Sequence, residues 1–236
     1  MLTCTELLLL NMGKLIEKIA IDRGHIISNV FNDSQWSSQD ISGADVAIEF
    51  STPKSALENI RKSTHSGVSI VVGTTGWYHQ WDKVEKWVAE FNVALLPATN
   101  FSIGVNIFYE INKKLASLMN HHKSYTSKVK EIHHQQKLDS PSGTAITIAE
   151  QIINNIDVYN NWEEGEEENK GTLNIEALRK NDIPGTHQVT YENEIDKISI
   201  SHEAKNREGF ALGAVIAAEF LLDKKGIYSM NDIIKF

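Results

Sequence analysis

The stretch Glu131-Ile-His-His-Gln-Gln-Lys-Leu-Asp-Ser-Pro-Ser-Gly-Thr144 gathers two histidines, a lysine and a glycine turn, residues that can move protons and bind anions. Val129 to His134 is β-branched and alternating, which predicts a strand whose last residues, His133 and His134, point to opposite faces. Ser140-Pro141 then predicts a helix start, with Ser140 as N-cap and Pro141 at the first helical position. The apolar residues Ala145, Ile148, Ala149, Ile152 and Ile156 follow at helical spacing. On that reading the amides of Ser142, Gly143 and Thr144 are unpaired at the positive end of a helix. They form an anion site, and Gly143 has no side chain to keep a carboxylate or phosphate from the backbone. Lys137, between strand and helix, adds a positive charge and a transferable proton. The chemistry this set could do is acid/base work on a bound anion. A metal site is the other sharp alternative, with His and Asp139 as ligands, but no cysteine cluster or His-x-x-x-His spacing completes a coordination set. The plainer alternative is a surface loop with a solvated lysine and one packed histidine.

The run from His133 to Ala145 resembles the signature of the 4-hydroxy-tetrahydrodipicolinate (dihydrodipicolinate) reductases of bacterial lysine and diaminopimelate synthesis. The resemblance implies that His133 is the acid/base histidine and Lys137 the proton donor. It also makes His134, Gly143 and Thr144 contacts of the substrate carboxylates, to which the helix-start reading adds the Ser142 amide. A second run, His202 to Ala214, resembles the family's closing motif, in which an arginine contacts substrate; Arg207 matches it.

These residues need a scaffold. Strand-like runs at 7–10, 25–31, 44–50, 68–72 and 93–96 alternate with helical patterns at 12–21, after Ser51-Thr-Pro53, and at 80–91. That alternation predicts an α/β fold, a Rossmann-type doubly wound parallel sheet. Ligands of such sheets lie at the carboxyl ends of the strands, where Phe50-Ser-Thr52, Gly73-Thr-Thr-Gly76 and the segment Ala98, Thr99, Asn100, Phe101 fall. Gly73 and Gly76 would admit a cofactor to the main chain, Thr74 and Thr75 offer hydroxyls, and Phe101 offers a ring. The family resemblance makes these loops cofactor contacts. Phe101 to about His122 predicts a long helix, and Trp162 to Lys170 an exposed acidic loop. Residues 178–202 predict a loop with strands in a mostly antiparallel sheet, which the family uses for tetramer assembly. The helix from Phe210 to Leu222 is expected to return to the first domain. The dinucleotide-binding domain is therefore expected to be discontinuous, residues 1–102 and 209–236, around a smaller α+β substrate-binding and oligomerisation domain, 103–208.

The formal charge of −8, from 23 basic and 31 acidic residues, disfavours nucleic acid or an anionic membrane as partner, since either needs a basic face. The lone Cys4 excludes an internal disulfide framework and suits a reducing cytoplasm. No apolar run is long enough to span a bilayer, and Leu7 to Leu10 lacks the flanks of a signal peptide.

The resemblance departs at the first βα turn, where a glycine fingerprint should meet the cofactor pyrophosphate. Leu8-Leu-Leu-Asn-Met12-Gly13 keeps only the last glycine, and leucines add bulk where phosphates should lie. Either cofactor binding is impaired, or residues 1–11 are not the natural N-terminus; the match resuming at Met12 favours the second. Asn32-Asp33 stand where a ribose-binding acid is expected, so NADH and NADPH both stay open. The reading is an NAD(P)H-dependent reductase of a small cyclic dicarboxylate, a homotetramer by resemblance. Its alternatives are a related two-domain amino-acid dehydrogenase and an inactive relative.

Overall fold

The computed structural model describes residues 3–8, 10–32, 35–137, 139–165, 169–180 and 183–235. In chain order the elements are β1 (Thr3–Leu8), α1 (Leu10–Asp22), β2 (Ile26–Phe31), β3 (Val46–Phe50), α2 (Pro53–His65), β4 (Ser69–Val72), α3 (Trp81–Glu90), β5 (Ala94–Pro97), α4 (Ile103–Met119), β6 (Thr126–His133), α5 (Gly143–Ile153), β7 (Asn161–Glu164), β8 (Thr172–Arg179), β9 (Gly185–Glu192), β10 (Lys197–Ala204), α6 (Glu208–Leu221), β11 (Gly226–Ile227) and α7 (Met230–Ile234). The chain forms two compact units, Met1–Ile103 with Glu208–Phe236, and Gly104–Arg207.

In the first unit six strands pair in parallel in the order β11-β5-β4-β3-β1-β2. Strand periodicity sorts their apolar residues onto two faces. Val46, Ile48, Val71, Ala94 and Leu96 pack with Ile16 and Ala20 of α1 and Ala214 and Ala218 of α6. The intervening Ala47, Ile70, Val72 and Leu95 pack with Ile60 of α2 and Val84 and Val88 of α3. Helices on both faces make the sheet doubly wound, which is why its strands are apolar nearly throughout. A correction concerns the first strand: it runs Thr3–Leu8 rather than 7–10, and α1 opens at Leu10 rather than Met12. Backbone pairing with β2 on one side and β3 on the other holds Thr3 to Leu8 extended despite a polar start.

Two contacts seat α6 in this unit. Arg23, just after α1, makes a two-pronged pair with Glu219 at 2.7 Å, and His25 reaches the same carboxylate at 2.7 Å. Further along, the helix backbone touches Phe101 so closely that a Cβ on Gly213 would fall 1.8 Å from the Phe101 carbonyl oxygen.

In the second unit the sheet order is β10-β9-β6-β8-β7. It is mixed rather than mostly antiparallel: β10, β9 and β6 pair antiparallel, whereas β6, β8 and β7 pair in parallel. The parallel half consists of β8, which pairs with β6, and of β7, which the start of the acidic run, expected as loop, forms beside β8 at the sheet edge; residues 166–168 lie outside the described residues. Exposed Glu163 and Glu164 suit an edge, where charge discourages further pairing. One sheet face carries Val129, Leu173, Ile175, Val189 and Tyr191, packed against α4 and α5 through Phe108, Ala116, Ile148 and Ile152. The other face is polar, a concavity of about 770 Å³ lined by Lys128, Lys130, Glu176, Gln188 and Thr190 among others.

Gly213→Ala is expected to lower the stability of the chain by about 3 kcal/mol, because a Cβ there must displace backbone rather than a side chain. The urea unfolding midpoint measures this, and an unchanged midpoint would show that α6 does not seat on Phe101.

Candidate functional site

Period-two alternation along β6 sends Val129, Glu131 and His133 to the helix-covered face and Lys128 and Lys130 to the other. The first of these is apolar; the other two are a carboxylate and an imidazole brought into the core. Glu131 is 0% exposed and His133 6%. The ladder register supplies their partners, since Glu131 faces His187 on β9 and His133 faces Arg179 on β8.

Glu131 Oε1 accepts from the Ser142 amide at 3.0 Å and from both terminal nitrogens of Arg179 at 3.2 Å. Its Oε2 lies 3.3 Å from His133 Nδ1 and 3.6 Å from His187 Nε2, and that nitrogen is also 3.2 Å from the Ser142 hydroxyl. Burial alone would push the Glu131 carboxyl up. The nearby imidazoles of His133 and His187, the Ser142 hydroxyl and the Ser142 amide overcome that and hold it far below the usual carboxylate range. Burial pushes His187 down, with Glu131 opposing. The ligand atoms of Glu131, His133 and His187 lie within 4.8 Å of one another, close enough to converge on a cation. Arg179 already supplies the balancing positive charge at Oε1, so the set is an ion-pair and hydrogen-bond network.

The helix start differs from expectation. Ser142, not Ser140, caps α5: its backbone is extended and its hydroxyl accepts from the Ala145 amide at 3.2 Å, with Gly143 as the first helical residue. The Ser142 amide is therefore occupied by Glu131 and is not part of a free anion site. Gly143 is exposed, with open space where a Cβ would stand, and Thr144 is half-buried in the first turn. His134 opens a turn closed by the Lys137 amide on its carbonyl at 3.2 Å. Lys137 Nζ pairs with Asp139 at 2.9 Å, and the Asp139 carbonyl is held by Arg179 at 2.6 Å. Leu138 lies outside the described residues. Arg207 is exposed in the bend between β10 and α6. The structure thus joins His133 and Ser142 in one network, sets Lys137 and His134 in the adjoining turn, and leaves Arg207 at the surface.

In the first unit the carboxyl ends of β1, β3, β4 and β5 lie side by side, with Leu8 beside Phe50, Glu49 beside Val72, and Val72 beside Pro97. The sheet order reverses between β1 and β3, the crevice where dinucleotides bind in such sheets. Several of the expected contacts also have a role in the fold. A Cβ on Gly73 would meet the Phe50 ring at 2.2 Å, so that glycine makes room for Phe50. Thr74 Oγ1 accepts from the Ser51 amide at 2.7 Å, within a brace that also joins Ser51 and Asn59 to buried Glu49. Phe101 is 2% exposed and its ring packs with Phe50 at 5.5 Å in the core, so it is not an open platform. Asn100 is buried and accepts from the Ser102 amide, Ala98 packs against the core, and its amide bonds Val72 at 3.0 Å. Thr75 and Thr99 are exposed, Met12 is half-buried and Gly13 buried within α1. Leu8 ends β1 and Leu10 opens α1; Leu9, Asp33 and the side chains of residues 5–11 lie outside the described residues.

Glu131, Arg179 and His187 join the network without being candidates from the sequence motif alone. Glu131 carries a signal, since it stands two residues before His133 on one strand and so shares its face. Arg179 and His187 enter only through the pairing of β8 and β9 with β6, which no local spacing shows.

A doubly wound parallel sheet in one unit and an α+β second unit with a buried carboxylate-imidazole network are the build of a two-domain oxidoreductase of Rossmann type. The N-terminal family model of dihydrodipicolinate reductase matches residues 11–101 and the C-terminal model residues 104–234, and the chain belongs to that family. It is 46% identical over 226 residues to a 4-hydroxy-tetrahydrodipicolinate reductase of Christiangramia forsetii, covering 94% of this chain and 93% of that one. A protein of the same name from Methanocaldococcus jannaschii is 36% identical over 197 residues, 80% of this chain and 71% of its own. Among solved structures, a dipicolinate-bound dihydrodipicolinate reductase from Paenisporosarcina sp. TG-14 shares the fold with a TM-score of 0.79 at 20% identity, covering 99% of both chains.

Stability is expected to fall in two stages on acidification. His187, buried and depressed below its ordinary 6.5, favours the folded state above that value and withdraws its support as the pH falls below it. Glu131, depressed below its ordinary 4.5, contributes fully above 4.5 and loses its contribution further into acid. Urea unfolding across this range should show His187→Gln flattening the upper stage and Glu131→Gln the lower one; unchanged slopes would overturn the assignment.

Proposed function

We propose that this chain reduces 4-hydroxy-tetrahydrodipicolinate with NADH or NADPH. The observation that supports this reading most is the buried Glu131-His133 pair, set at the end of β6 beside the Lys137 turn and the start of α5, inside the segment matched by the family model. The fit to a nicotinamide cofactor rests on the reversed strand order at β1 and β3 and on the exposed Thr75 and Thr99 of the strand-end loops. When bound, that cofactor supplies a hydride.

The remaining work belongs to the side chains. His133 holds and exchanges a proton, and Lys137 donates one to the charge that develops beside a carboxylate-bearing C=N or C=C bond. Lys137 is now neutralised by Asp139, and a substrate carboxylate would take the place of that partner. His134, Gly143, Thr144 and Arg207 are the proposed contacts of the two carboxylates, with Ser142 acting as cap rather than as donor. We assign residues 1–102 and 209–236 to cofactor binding and 103–208 to substrate binding and assembly. The open polar face of the second sheet supports a homotetramer, and the single cysteine supports a cytoplasmic setting. Among the described residues no helix is long and apolar enough to cross a membrane.

One observation favours a cofactor-impaired relative as the second reading: backbone at Leu8 and Leu10 frames the first βα turn where glycines are expected. Absorbance assays with 4-hydroxy-tetrahydrodipicolinate and either cofactor test both readings. His133→Gln and Lys137→Ala should each lower kcat by about 10²- to 10⁴-fold with folding intact. Arg207→Ala and Thr144→Val should chiefly raise KM. Replacing residues 8–10 with Gly-Tyr-Gly should tighten cofactor binding in a fluorescence titration if the leucines obstruct it. Ordinary micromolar affinity in the unmodified chain would eliminate the impaired reading, and loss of thermal stability alone in the His133 and Lys137 variants would sink the roles given to them.

A further inference from the structure

His133 is held on both edges. Its Nδ1 faces Glu131 Oε2 at 3.3 Å, and its other edge meets β9 at a residue without a side chain, where a Cβ on Gly185 would stand 3.0 Å from Nε2 and 3.2 Å from Cδ2. Glu131 is oriented in turn by the Ser142 amide and by Arg179, whose second nitrogen also grips the Asp139 carbonyl. Resting on the reading of His133 as the acid/base group, we propose that Glu131, Arg179, His187 and Gly185 are positioning residues for it. The carboxylate keeps one proton on Nδ1, and Gly185 leaves Nε2 clear as the nitrogen that exchanges a proton with substrate. Nδ1 retains its proton throughout, Glu131 stays ionised, and within this pair the only proton that moves is the one on Nε2.

The logic is that of a buried carboxylate fixing the tautomer of an imidazole and stabilising its cationic form. Each neighbour has a sign. Glu131 brings a negative charge to the Nδ1 edge of His133. Arg179, 3.2 Å from the carboxylate on the neighbouring strand, opposes it by neutralising part of that charge. His187, across the ladder from Glu131, shares the carboxylate and competes for it. Beyond these lie His202, opposite His187 on β10, Lys180 after β8, and the Lys137-Asp139 pair in the turn after β6. Those groups are common to every variant below and do not alter the sign of a difference.

The experiment is nitrogen NMR of histidine-labelled full chain across pH, in the wild type, Glu131→Gln and Arg179→Gln, with His133→Gln to identify the resonance. Profiles of kcat and KM against pH accompany it. The expected wild-type tautomer carries its proton on Nδ1. Glu131→Gln should move the His133 titration and the matching limb of kcat to lower pH by about one unit. It should also cut kcat by about 10²-fold with little change in KM. Arg179→Gln should move the same titration and limb to higher pH, a shift of opposite sign that a merely structural role would not produce. Should Glu131→Gln fail to fold, the half-buried Arg179 variant decides alone by the direction of its shift. A wild-type proton on Nε2, or shifts that are absent or share one direction, would overturn the proposal. If His133→Gln keeps full kcat, the acid/base reading falls instead, while the tautomer and the signed titration shifts still decide the positioning claim.

Discussion

Placing a carboxylate inside a protein costs several kcal/mol unless charge and hydrogen bonds compensate it. Glu131 is fully buried, and Arg179 together with the Ser142 amide provides that compensation at one oxygen. The rest of the network follows. With Oε1 occupied, Oε2 is left to the two imidazoles. Because Ser142 is tied to the carboxylate, α5 must begin at Gly143, and because Arg179 also holds the Asp139 carbonyl, the turn carrying Lys137 is anchored to the same charge. Breaking one partner of such a pair commonly costs about 3 to 5 kcal/mol, which makes this end of β6 rigid on both sides.

The two sheets solve different problems with the same period-two alternation. In the first unit both faces are covered by helices, so neighbouring residues such as Val46 and Ala47 enter different cores. In the second unit only one face is covered, and alternation separates Glu131 and His133 from Lys128 and Lys130. A polar pair on the covered face is tolerable only where cross-strand neighbours satisfy it, and the registry of β6 with β8 and β9 does so.

Much of this was legible in the sequence where a signal is local. Apolar runs separated by helical periodicity marked β2 to β5 and their helices within a few residues, and the His133 to Thr144 run marked the site. Legibility failed where long-range pairing decides. Thr3 to Glu6 lack a strong strand pattern and are drafted into β1 by neighbours on both sides. Ser142 displaces Ser140 as cap because Glu131, eleven residues earlier, claims its amide. Phe101 looked like an offered ring because nothing in its own segment shows Phe50 and Gly213 closing over it. Arg179 and His187 have ordinary surroundings in the chain and acquire meaning only beside β6.

The α1 and α6 face of the first sheet waits for residues 208–221, which follow the whole second unit in the chain. During synthesis from the N-terminus, Val46, Ile48, Val71 and Leu96 therefore stay partly uncovered on that face until Gly104–Arg207 has been made. The inserted unit can complete its own core first, reversing the usual order in which domains fold as they emerge. A nascent chain arrested before α6 would present a sheet with one apolar face covered only in part, by α1, the kind of surface that chaperones exist to shield.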